Sequence, residues 1–129
     1  MSARIASLAL LVAFAALAAL ALAAAGCTSS TQPPGTDPSI RGTITTLTVT
    51  GDRASALVEA VGQPVYSYDK ASVSITSDTK LLRETGEGAY EQLTSADLAV
   101  GQEVDVWFEG AVAESYPLQA TAGTLVVLK

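Results

Sequence analysis

Residues 103 to 114 read EVDVWFEGAVAE, so Glu103, Asp105, Trp107 and Glu109 fall on alternate positions and Glu114 follows closely. A period of two puts the first four on one face of a β-strand and Val104, Val106 and Phe108 on the other. An indole among acids could serve as a platform for a sugar ring or a cation. Paired carboxylates such as Glu84 with Glu87, or Asp105 with Glu109, could share general acid–base work or hold a divalent cation. Each feature also has a structural reading. Trp107 could pack under a loop or close one end of the fold with its N–H on a backbone acceptor, and acids on alternate strand positions usually mark a solvated face.

A second group of candidates lies in segments without strand periodicity. Tyr66 and Tyr68 belong to GQPVYSYDKA, and Glu114 and Tyr116 belong to GAVAESYPLQAT, Gly110 to Thr121. Loops concentrate recognition residues, so these four side chains join Trp107 as a candidate binding set. The competing reading of the second segment is a turn. Pro117 fixes φ and ends pairing, Tyr116 covers apolar surface, and Glu114 and Ser115 bond turn amides.

Several chemistries lose their usual parts. The chain has no histidine, which removes the commonest general base and metal-ligating nitrogen. One cysteine permits neither an internal disulfide nor a cysteine metal cluster. There is no Gly-rich phosphate loop, no Gly-x-Ser-x-Gly elbow and no EF-hand spacing. The sequence therefore reads as a non-enzyme with no catalytic residues, no cofactor and no metal. Arg4 is the only charge before Cys27, so six of the seven cations and all 13 acids follow it. That acidic excess opposes binding to nucleic acid, whose affinity rests on cationic contacts with phosphate.

The elements that must position the candidates are short strands between turn signals. IRGTITTLTVT, Ile40 to Thr50, puts Ile40, Gly42 and Ile44 on one phase and Leu47 and Val49 on the other, which predicts a β-bulge. Gly51-Asp52 turns the chain into ASALVEAV. SVSITSDTKLLRET follows as a third strand, and GEG at Gly86 to Gly88 breaks it. TSADLAVG predicts one helical turn, with Thr94 or Ser95 as N-cap, Asp97 in the first turn and Gly101 as a stop. QEVDVWFE and TLVVLK are the fourth and fifth strands. An all-β chain of five strands with one short helix between the third and fourth has the order of a small OB-like β-barrel. In such a barrel the segment between the last two strands borders the common binding face, and that segment here is Gly110 to Gln119.

The N-terminus has a different character. MSAR precedes an apolar stretch from Leu8 to Ala25, and Gly26 and Cys27 close it, the pattern of an export signal. Ala24-Ala25-Gly26-Cys27 resembles the lipobox of bacterial lipoprotein precursors, in which the cysteine sulfur carries diacylglycerol and the residue becomes the mature N-terminus. An uncleaved transmembrane anchor is the competing reading, but the run is alanine-rich and no basic flank follows it. Thr28 to Ser39, TSSTQPPGTDPS, reads as a flexible linker reaching about 40 Å when extended.

The segments IRGTIT, DKASVSIT and VGQEVDVWFEGAVAESYPLQATA resemble the YobA-like family of small bacterial envelope lipoproteins, a domain of unknown function of the DUF3221 type. The resemblance runs from Ile40 to about Val127, with Ala111 in place of the family's proline. It implies an envelope location and supplies no catalytic residues. The expected organisation is a signal peptide at 1–26, a lipid-anchored linker at 27–39 and an OB-like barrel at 40–129. The expected function is a monomeric binding or adaptor module, held on the outer face of the cell membrane by a lipid on Cys27. Its loops would meet an envelope protein or glycan. The alternative is a carboxylate-based hydrolase or divalent-cation-binding protein.

Overall fold

A computed structural model describes residues 31–129; the leader and Cys27 lie outside the described residues. Among these, seven strands form: β1 Ile40–Thr50, β2 Arg53–Glu59, β3 Lys70–Ile75, β4 Lys80–Gly86, β5 Ala89–Gln92, β6 Glu103–Ala113 and β7 Leu118–Val127. The neighbours run β3-β2-β1-β6-β7, and β3 also pairs with β7, which closes a five-stranded barrel. The closing β3–β7 pair is parallel, joining Ala71–Ser74 to Leu118–Thr121, while its other pairs are antiparallel. This is the connectivity of the OB-type barrel.

Alternation fills the barrel. Ile40, Ile44, Ala56, Val58, Ala71, Val73, Ile75, Val104, Val106 and Leu125 are all buried and belong to one core cluster. At ~25 cal/mol per Å² of apolar surface, such a core is the main stabilising term. The phase change in β1 has the predicted cause: the register with β2 shifts between Ile44 and Thr46, leaving Thr45 as the extra residue of a bulge. The strand bends there, so its first half pairs with β6 and its second half with β2 alone.

The run expected as one third strand is two. A turn at Thr76–Thr79 divides it into β3 and β4, closed by the Thr76 N–H donating to Thr79 Oγ1 at 3.0 Å. Thr79 Oγ1 in turn donates to the Ala122 carbonyl at 2.7 Å, which fixes the break against β7. After it, β4 pairs in parallel with the second half of β7. The GEG segment breaks the strand as expected, since β4 ends at Gly86, but an additional strand follows it. Gly88, at φ 71°, turns β4 back into the short strand β5. The predicted helical turn is a single 3-10 turn at Ser95–Asp97. Asp97 Oδ2 accepts from the Thr94 N–H at 2.9 Å, and Ser95 Oγ donates to the Gly51 carbonyl at 2.8 Å.

The residues before β1, expected as linker, are in part attached to the barrel. The Ser39 N–H donates to the Val106 carbonyl at 2.8 Å, and Ser39 Oγ accepts from the Phe108 N–H at 3.1 Å. Pro38 is buried. Farther back, the Thr36 carbonyl accepts from Trp107 Nε1 at 2.9 Å and the Gln32 carbonyl from Lys80 Nζ at 3.1 Å. Polar and proline-rich composition signals a lack of apolar periodicity. Backbone carbonyls can still be captured by side chains of a neighbouring sheet.

Candidate functional site

The outer surface of β6, β1, β2 and β3 carries a cross-strand row. Glu103 lies opposite Thr43, Thr43 opposite Glu59, and Glu59 opposite Lys70. Side chains abreast on one sheet face are close enough to interact. Lys70 Nζ is 3.1 Å from Glu59 Oε1, and Thr45 Oγ1 donates to Glu59 Oε2 at 2.6 Å. The bulge makes the second contact possible by turning Thr45 toward β2. Together the Thr45 hydroxyl and the Lys70 ammonium hold the Glu59 carboxyl below its usual range. Glu59 in turn raises Lys70.

Tyr116 extends this row. Its hydroxyl donates to Asp69 Oδ2 at 3.2 Å, and Lys70 Nζ lies 5.5 Å from its ring centroid. The ring is nevertheless 72% exposed. The Gly110–Gln119 segment, expected as a loop, is mostly strand. β6 continues to Ala113 and pairs with Gln119 across a register shift that begins after Glu109, at Gly110 with φ 72°. Only Glu114 to Pro117 form the turn, where Ser115 Oγ donates to the Pro117 carbonyl at 2.9 Å. Glu114 is exposed on that turn.

Arg41 anchors the other flank. Its Nε and Nη2 donate to the two Asp105 carboxylate oxygens at 2.6 and 2.8 Å, a bidentate pair. The hydrogen-bonded Asp105 carboxylate raises the Arg41 pKa above its ordinary value. The guanidinium also lies 5.5 Å from the Tyr66 ring centroid. A groove of about 140 Å³ opens beside it, between Thr43 and Glu103 on the strands and Val61 and Val65 on the β2–β3 loop. Those two valines are among the most exposed large apolar residues described.

The candidate set is therefore divided. The structure brings Tyr66 and Tyr116 to the β2–β3 loop, each beside a cation. Tyr68 is packed inward instead, its ring 5.5 Å from that of Phe108 and against the core. Trp107 is not part of this surface; its indole N–H is taken by the Thr36 carbonyl. The expected solvated face of β6 is also corrected, because Asp105 is buried and consumed by Arg41. Its carboxylate therefore does not stand free beside Glu109, whose side chain lies over Gly123 on the neighbouring strand β7. Among the described residues, no three His, Cys, Asp or Glu are grouped to hold a metal ion.

Sequence reasoning missed Arg41, Glu59, Asp69 and Lys70. No local motif signals them, since each acquires its partner across strands. It also missed a larger cleft of about 430 Å³ near the β1–β2 turn, lined by Gly51, Thr76, Thr79, Thr94 and Ser95 among others. Its hydroxyls from Thr76, Thr79, Thr94 and Ser95 are engaged in turns and caps.

No curated protein and no solved structure matches the chain. Residues 66–129, from Tyr66 in the β2–β3 loop through β7, match the model of a family described as protein of unknown function (DUF3221), and over that span the chain is similar to it.

Proposed function

We propose that the protein is a non-catalytic binding or adaptor module, lipid-anchored through Cys27 on the outer face of the membrane. Its Tyr66 and Tyr116 surface meets an envelope protein or glycan. The observation that carries the reading is Tyr116. A large ring held in solvent by a hydroxyl bond and a neighbouring ammonium is ordered before any partner arrives, which lowers the entropy cost of contact. Tyrosine suits such a role, with an apolar ring and a polar tip. Exposed Val61 and Val65 on the adjoining loop add apolar area. The Ala24-Ala25-Gly26-Cys27 sequence and the apolar leader support the anchor. The hydrolase or cation-binding alternative is disfavoured by the engagement of Asp105 with Arg41.

The test compares proteins and wall glycans recovered from envelope fractions by wild type and by Tyr116→Ala, with folding of the variant checked first. Loss of a specific component from the variant is expected. An identical recovered set removes this surface as the site. The anchor is tested separately by metabolic labelling with palmitate. Cys27→Ala should lose the label, and a variant that remains labelled sinks the lipoprotein reading.

A further inference from the structure

The attached segment before β1 crosses the barrel rather than following it. Ser39 bonds to β6, Thr36 accepts from Trp107 on β6, and Gln32 accepts from Lys80 on β4. Trp107 is the register partner of Thr124 on β7, and Thr124 is the partner of Lys80. Trp107 and Lys80 thus lie abreast with Thr124 between them, and residues 32–39 form a belt across the outside of β6, β7 and β4. The chain toward Cys27 leaves the domain beside Lys80. The β1–β2–β3 surface, with Thr43, Glu59 and Lys70, lies on the other side of the closed barrel.

From this we infer that the belt fixes the orientation of the domain on the membrane: the β4–β5 side faces the bilayer and the β1–β2–β3 surface faces away. The inference rests on the anchored reading above. The chain from Cys27 to Gln32 extends at most about 18 Å, roughly the length of a single average strand. It is too short to carry the anchor around the barrel while the belt stays bonded.

The test uses the full chain made in a bacterial host. Its membrane-associated form is moved into nanodiscs containing a gadolinium-chelating lipid, and broadening of backbone amide signals is read. Amides of Lys80–Gln92 should broaden several-fold more than those of Arg53–Glu59. Removing both belt donors in a Trp107→Phe, Lys80→Ala variant should abolish the difference, since Gln32 and Thr36 accept these bonds through their backbone carbonyls. Equal broadening in the unaltered chain, or stronger broadening of β2, overturns the inference. Failure to recover any membrane-associated form counts against the anchor alone. The orientation is then read on chain from Cys27 onward, coupled through its thiol to a maleimide lipid, with the same two outcomes.

Discussion

Gly42→Ala should be among the most damaging single-methyl changes in this chain. Gly42 lies in the bent first half of β1, where β1 meets β2 and β6. A Cβ there would sit 2.4 Å from the Glu59 carbonyl oxygen, 2.5 Å from its carbon and 2.8 Å from the Ala60 nitrogen. All three are backbone atoms, so no side chain can swing aside. The end of β2 would have to move, straining the Thr43–Glu59 pair and the 2.7 Å bond from the Ala60 N–H to the Asp69 carbonyl. Overpacking costs about 1–3 kcal/mol, and a weakened hydrogen bond adds about 1 kcal/mol. The lower backbone entropy of alanine returns about 0.5–1 kcal/mol. The net loss is about 1–3.5 kcal/mol, or a fall in Tm of roughly 4–28 °C for a domain of this size. Gly86→Ala is the control, because its added Cβ would meet only the Ala89 Cβ, at 4.0 Å. Urea unfolding followed by circular dichroism measures both. A Gly42→Ala variant as stable as Gly86→Ala would refute the close-approach argument.

Other outcomes follow from the polar contacts. Asp105→Ala leaves the partly exposed Arg41 without its bidentate partner and should cost about 1–2 kcal/mol in urea unfolding, with Asp105→Asn intermediate. Ser95→Ala removes the bond to the Gly51 carbonyl and should cost about 1 kcal/mol by the same measurement. Glu59 and Asp97 both have depressed folded-state pKa values, Asp97 chiefly through the Thr94 N–H. Their stabilisation is present above the unfolded carboxylate range and is lost as pH falls through the folded values. Tm should therefore drop on acidification below about pH 4.5, and Asp97→Asn should flatten that drop. Lys70 is raised by Glu59, so its contribution holds below its unfolded pKa and disappears as pH rises through the folded one.

The barrel was legible because local signals coincided with global ones. Ile40, Gly42 and Ile44 against Leu47 and Val49 announced the bulge, and Thr94 and Asp97 announced the helical turn. What stayed hidden depended on contacts between distant residues. Thr79 ends β3 by reaching Ala122, and nothing in SITSDTKLL betrays that partner. Asp105 looked solvated because period two assigns faces, not neighbours, and Arg41 is 64 residues away. GAVAESYPLQAT begins with Gly110 and carries Pro117 in its middle and so imitates a loop, yet its strand pairing continues past the shift at Gly110. Tyr66 and Tyr116 were found as candidates, but the partners that orient them, Arg41, Asp69 and Lys70, were not.

The belt also gives the molecule a built-in optical reporter. The chain holds one tryptophan, and the hydrogen on its ring nitrogen is committed to the Thr36 carbonyl. All indole emission therefore originates at the belt rather than in the barrel interior. Detachment of residues 32–39 would place that ring in water and shift its spectrum while the strands still give their full circular dichroism signal. The two optical signals separate loosening of the belt from unfolding of the barrel, without any added label.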